Sequence, residues 1–295
     1  MKASHVRLAT ASLVAGFFSL NAMGQVLENG FVASGGEEIY FETVGAGEPV
    51  VFSHGLGGNH AIWYQQVPDF AMDHRVITWD QRGFGRSTNR NEASGPEAAV
   101  ADLKVLLDHL EVERAHLVGQ SMGGWAVLGF ALKYPERVRS VVMADTIGGI
   151  YTPEIEGHYD AFIRARMAAP PVEQQPITQH PAVGEALALR DPAQAFLYRQ
   201  IGGLGPGAPS NMGLLLRQTA YDAEAIRALR LPMLFVVGEH DQIFTPAVIR
   251  AASGLVAGAR VVVLSEAGHS PYFETPAAWN QTVSAFIASI DKKTE

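Results

Sequence analysis

Six residues, Gly119-Gln-Ser-Met-Gly-Gly124, constrain this chain more than any other segment. An apolar, strand-like run, Ala115 to Val118, leads into them, and a helix-compatible run, Trp125 to Tyr134, leads out. A Gly-x-Ser-x-Gly pattern at such a junction predicts a sharp, strained strand-to-helix turn that holds the Ser121 hydroxyl exposed. Glycines at 119 and 123 remove side chains that would collide across so tight a turn. A loop without chemistry could carry the same residue types, so the rest of the chain has to decide.

The flanking pattern repeats along the chain. Strand-like runs recur near 49–53, 75–80, 115–119, 138–144, 232–237 and 260–264, with helical stretches between most of them. The clearest helix is Pro96 to Leu110, where Val100, Leu103, Leu106, Leu107 and Leu110 recur at helical spacing. Alternating β and α segments predict a mostly parallel, doubly wound α/β sheet. Phe31 to Thr43 alternates and ends at Val44-Gly-Ala-Gly47, the pattern of an antiparallel edge hairpin. The rhythm breaks over 147–230, rich in Ala, Pro, Gln and Met and interrupted by Pro170-Pro171 and Pro176. That interval reads as a helical cap inserted into a core formed by 25–146 and 231–295. Gly202 to Gly207 lacks the preceding strand and following Lys-Ser/Thr of a phosphate loop and reads as a turn within the cap.

A serine hydroxyl is a poor nucleophile at neutral pH and needs a base, with a third group to orient that base. Asp241 follows the apolar run Leu231 to Gly238, and His269 follows Ala259 to Leu264. Both sit just past the C-terminal end of a predicted strand, the edge where open parallel sheets build their sites. Asp145 follows the strand-like Val141 to Ala144 and competes with Asp241 as the acid. Upstream, Pro49 to His54 runs into Gly55-Leu-Gly-Gly58, and Trp79-Asp-Gln-Arg-Gly-Phe-Gly-Arg-Ser87 follows the next strand.

Together these motifs resemble the α/β-hydrolase-fold serine hydrolases, from about Phe31 to the C-terminus. The capped enzymes are the most similar: carboxylesterases, enol-lactonases and meta-cleavage-product hydrolases. The resemblance implies an eight-stranded sheet and a Ser–acid–His order along the chain, met by Ser121, Asp241 and His269. It favours Asp241 over Asp145, whose spacing to the histidine is the less common one. It also implies an oxyanion hole from the backbone amides of Leu56 and Met122. Epoxide hydrolases and haloalkane dehalogenases share the fold but carry Asp where this chain has Ser121, so the hydroxyl points to acyl transfer. His54 is expected to orient the oxyanion loop and Asp80 to brace the segment after its strand. Fold alone leaves cofactor-free oxygenases and binding proteins with a vestigial site as rivals.

Composition narrows the classes further. The chain has 295 residues, 47% hydrophobic, enough for one large core. Its formal charge of −8 comes without a basic cluster, which argues against a nucleic-acid partner. It has no cysteine, and its ten histidines never take a spacing such as H-E-x-x-H, so neither a metal nor a cofactor is expected. Lys2 and Arg7, the uncharged run Leu8 to Leu20 and Ala22-Met-Gly24 form a signal-peptide pattern over 1–24, and the run is short for a membrane span. The expectation is a secreted or periplasmic serine hydrolase acting on a small or medium carboxylic ester or lactone, with C–C bond hydrolysis of a diketone as the alternative. Trp63, Trp125 and Phe244 are expected to line the substrate pocket, and the cap residues Phe162, Met167, Phe196 and Leu204 to shape it.

Overall fold

The computed structural model of the protein describes residues 26–168 and 174–292. The predicted signal peptide lies outside the described residues. Eight strands form one sheet: β1 (Glu28–Ser34), β2 (Glu37–Val44), β3 (Glu48–Ser53), β4 (His74–Trp79), β5 (Ala115–Gln120), β6 (Val138–Ala144), β7 (Met233–Gly238) and β8 (Arg260–Leu264). Their spatial order is β1-β2-β4-β3-β5-β6-β7-β8. From β4 to β8 every pairing is parallel, whereas β1–β2 and β2–β4 are antiparallel. The expected edge hairpin is present, turned by Gly35 and Gly36, both at positive φ as a tight two-residue hairpin turn requires.

Eleven α-helices accompany the sheet within the described residues. The core carries α1 (Val67–Phe70), α2 (Pro96–His109), α3 (Gly123–Lys133), α9 (Pro246–Ser253), α10 (Pro271–Glu274) and α11 (Pro276–Asp291). Between β6 and β7 lie α4 (Pro153–Ala168), α5 (Glu185–Arg190), α6 (Pro192–Gly202), α7 (Met212–Gln218) and α8 (Ala223–Ala228). The helix expected from Pro96 to Leu110 is α2.

The period-two geometry of a strand sends successive side chains to opposite faces, and both faces are covered. Val51, Leu117, Val141, Phe235 and Val237 join α2 and α3 in one core. Val50, Phe52, Val118, Val142 and Val236 join α11 in the other. Because both faces are buried, β5 and β7 are buried at every position. Trp63 belongs to this second core, against the expectation that it lines the substrate pocket. It is fully buried, with ring centroids 4.6 Å from Tyr272, 5.0 Å from Phe52 and 6.1 Å from Trp279. The short 3₁₀ turn His60–Trp63 carries the indole into this core, away from the Gly55–Gly58 loop that precedes it.

The parallel pairing also aligns the strand ends. β3, β5, β6, β7 and β8 all finish at one edge, so the segments holding Leu56, Ser121, Asp145, Asp241 and His269 converge there.

Candidate active site

The β5–α3 junction has the strain its glycines predict. Ser121 sits at φ +48°, a left-handed conformation that a non-glycine residue adopts rarely. Its N–H donates to Ala144 O at 3.0 Å, and its carbonyl accepts from Thr146 Oγ1 at 2.7 Å. A Cβ at Gly123 would overlap the Ser53 carbonyl, so α3 can start this close to β3 only with glycine there. The turn therefore fixes the Ser121 hydroxyl at the strand edge.

The hydroxyl meets His269 there. Ser121 Oγ lies 2.9 Å from His269 Nε2, and His269 Nδ1 lies 2.8 Å from Asp241 Oδ2. The other Asp241 oxygen accepts from the Ile243 and Phe244 amides at 2.7 and 3.0 Å, which leaves Oδ2 aimed at the ring. An acceptor carboxylate at Nδ1 places the imidazole proton on Nδ1 and leaves the Nε2 lone pair facing the hydroxyl. Gln120 Nε2 donates to the His269 carbonyl at 3.0 Å and ties the histidine loop to the elbow.

Asp145 lies beside this chain of groups but is turned differently. Its Oδ1 accepts from Gly238 N–H at 2.9 Å. The imidazole is bonded to Asp241, so the structure brings Asp241, not Asp145, to Nδ1. Burial and the neighbouring Asp241 charge push the Asp145 carboxyl well above the usual carboxylate range.

Leu56 and Met122 both line the cavity in front of Ser121, and among the described residues neither backbone amide donates to another protein group. His54 braces this loop. Its Nε2 accepts from Gln81 N–H at 3.0 Å, so its Nδ1 carries the proton and donates to Gly55 O at 2.8 Å. Complete burial pushes its pKa down, consistent with that neutral tautomer. Asp80 accepts from the His60 and Arg86 amides at 2.6 and 2.8 Å and holds the adjoining turn together.

The cavity has a volume of about 250 Å³ and mostly apolar walls. Trp125 and Phe244 line it as expected, together with Tyr159, Phe162 and Leu216 from the segment between β6 and β7. Phe196 and Leu204 instead face solvent, and the Met167 side chain lies outside the described residues. Phe244 links three parts of the site. Its amide holds Asp241, its ring lies 5.9 Å from the His269 ring, and it stacks on Tyr159 at 5.8 Å with an interplanar angle of 8°.

Sequence reasoning missed Glu274. Its buried carboxylate accepts from Gly268, Ser270 and Gly184 amides at 2.9, 3.0 and 2.9 Å, bracketing His269 and bonding to the inserted segment. Its spacing after His269 carries no chemical signal of its own; only the fold shows three donors converging on it.

A family model described as the alpha/beta hydrolase fold matches residues 48–169. The chain is 30% identical to 2-hydroxy-6-oxo-2,4-heptadienoate hydrolase of Pseudomonas putida, over 88% of this chain and 96% of that protein. This chain is an α/β hydrolase. It is also 30% identical to 2-hydroxymuconate semialdehyde hydrolase of a Pseudomonas strain, over 84% of this chain and 89% of that protein. Among solved structures, this α/β hydrolase is similar to a thermophilic esterase from Thermogutta terrifontis, with a TM-score of 0.75 and 26% identity over 89% of this chain and 99% of that one.

Proposed function

We propose that this α/β hydrolase is a serine esterase or lactonase for uncharged, apolar acyl substrates. The observation that carries this reading is the continuous Ser121–His269–Asp241 hydrogen-bond chain at the floor of an apolar cavity. Ser121 Oγ attacks the substrate carbonyl as His269 Nε2 takes its proton. Asp241 holds the Nδ1 tautomer and stabilises the imidazolium. The Leu56 and Met122 amides receive the developing oxyanion. His269 then returns the proton to the leaving oxygen, activates a water and releases the acid.

C–C bond hydrolysis is the second reading, and the names of the two Pseudomonas relatives favour it. The relative's named substrate is a heptadienoate, which carries a carboxylate. A buried carboxylate is costly without a cation or several donors. Among the described residues no Lys or Arg lines the cavity of this chain. That supports a neutral substrate. The test is a panel of neutral p-nitrophenyl esters, lactones and a dienoate diketone. The reading predicts kcat/KM for the best neutral ester or lactone at least 100-fold above the dienoate; the reverse order would replace it with C–C hydrolysis.

A further inference from the structure

Three acceptor or donor side chains crowd the end of β6 and β7. One atom each of Asp145, Asp241 and His269 lies within 4.8 Å of the other two, and all three residues are buried. Both Asp241 oxygens have donors, two backbone amides on Oδ1 and the imidazole on Oδ2, which leaves one of the roughly four carboxylate acceptor sites open. Asp145 differs. Its Oδ1 has the Gly238 amide, while its Oδ2 is sealed from solvent with no hydrogen-bond partner. A buried charged oxygen left so is among the costliest arrangements a protein can hold, whereas a hydroxyl facing an acceptor is not. Besides the imidazole, the titratable groups around Asp145 are the Asp241 and Glu274 carboxyls and the Tyr198 and Tyr272 hydroxyls, which burial keeps neutral, so no cation other than a protonated His269 faces it. A cation placed on the same atoms would have to break the bonds His269 makes to Asp241 and Ser121. A proton needs no such rearrangement.

We propose that Asp145 is a positioning residue that stands as a neutral carboxylic acid beside Asp241, leaving that pair a single negative charge to face His269. The second carboxyl then turns its O–H toward the Asp241 carboxylate. It helps fix Asp241 against the imidazole without competing for Nδ1. Were both carboxyls ionised, the ring would meet two charges from two directions, and its tautomer and tilt would be less well defined. The kinetic consequences rest on the Ser121–His269–Asp241 reading; the protonation state itself does not.

Infrared difference spectra of wild type and Asp145→Asn at neutral pH test the assignment. Wild type should show the carbonyl stretch of a solvent-shielded carboxylic acid, and Asp145→Asn should lose it. Asp241→Asn leaves Asp145 as deeply buried but replaces the carboxylate that its O–H faces with a neutral amide, so the band should persist there and shift in frequency; this arm stands even if Asp145→Asn does not fold. In kinetics, Asp145→Asn keeps the shape, the Gly238 acceptor and a donor toward Asp241. Its kcat on the best ester should therefore stay within about threefold of wild type. Its alkaline limb should extend to higher pH, because the group that ionises there is gone. A wild type without the band, a band that Asp145→Asn leaves in place, or a band lost or unshifted in folded Asp241→Asn overturns the proposal. So does a folded Asp145→Asn with kcat reduced 100-fold or more. If no ester is turned over at all, the proposed function fails while the infrared result still decides the proton.

Discussion

Asp145 and Asp241 look alike in sequence, since each is an acid just beyond a strand, yet their surroundings separate their roles. Asp241 takes two amides on one oxygen and the imidazole on the other. Replacing it with Asn substitutes an amide that favours the wrong ring tautomer, which costs on the order of 10⁴ in kcat in comparable serine enzymes. The Asp241→Asn variant should therefore lose at least a thousandfold more kcat than Asp145→Asn, measured on one ester. Equal losses would mean that the imidazole is shared between the two acids. Burial also ties Asp145 to stability. A carboxyl with a raised folded pKa binds its proton more tightly folded than unfolded, so its contribution falls as pH rises from about 4 through the folded value. Asp145→Asn removes that slope, and its melting temperature should gain on wild type as pH is raised.

At the scale of elements, the strands and the elbow were legible because their signals are local. β5 reads as an apolar run, and the glycines of 119–123 announce the turn that follows. Ser121, Asp241 and His269 could be found because parallel pairing makes every strand end a neighbour of the others. The choice between the two acids was less legible, because only the direction in which the His269 ring is bonded resolves it. Trp63 could not be placed at all from sequence: an indole just after the Gly55–Gly58 loop suits a pocket or a core equally, and the turn at His60–Trp63 decides. Tyr159 and Glu274 gave no signal, since their roles exist only once distant segments meet. Paired truncations expose the difference. Trp63→Ala should cost about 3–5 kcal/mol of stability, read from denaturant unfolding, with the substrate order unchanged. Phe162→Ala should melt near wild type and change the ranking of kcat/KM across acyl chain lengths by about tenfold. If Phe162→Ala leaves the ranking intact, the segment between β6 and β7 does not set specificity.

The molecule as a whole carries a buried histidine far from the site that should set its acid tolerance. His116 on β5 is held by Ser140 at 2.7 Å and Asp291 at 3.0 Å, and burial pulls its pKa down to about 4. The unfolded chain binds that proton from about pH 6.5 downward, so stability is lost as pH falls from there toward 4, by about 3 kcal/mol in all. Unfolding measured at steps across that window should show the decline, and His116→Gln should flatten it; a slope unchanged in the variant would assign the loss to other groups. We also propose export, from the basic start, the Leu8–Leu20 run and Ala22-Met-Gly24. Intact mass of protein recovered from the periplasm or medium should begin within a few residues of Gln25, whereas full-length chain found only in the cytosol would contradict it.

The central claim is that Ser121 is a nucleophile made reactive by His269. A fluorophosphonate probe reads this directly, since it bonds only to a hydroxyl whose proton is being withdrawn. Intact-mass and peptide analysis should find one adduct per chain, on Ser121, in the wild type. Ser121→Ala should take none, and His269→Ala should label at least a thousandfold more slowly. Failure of the folded wild type to label, or an adduct on another residue, would contradict the account.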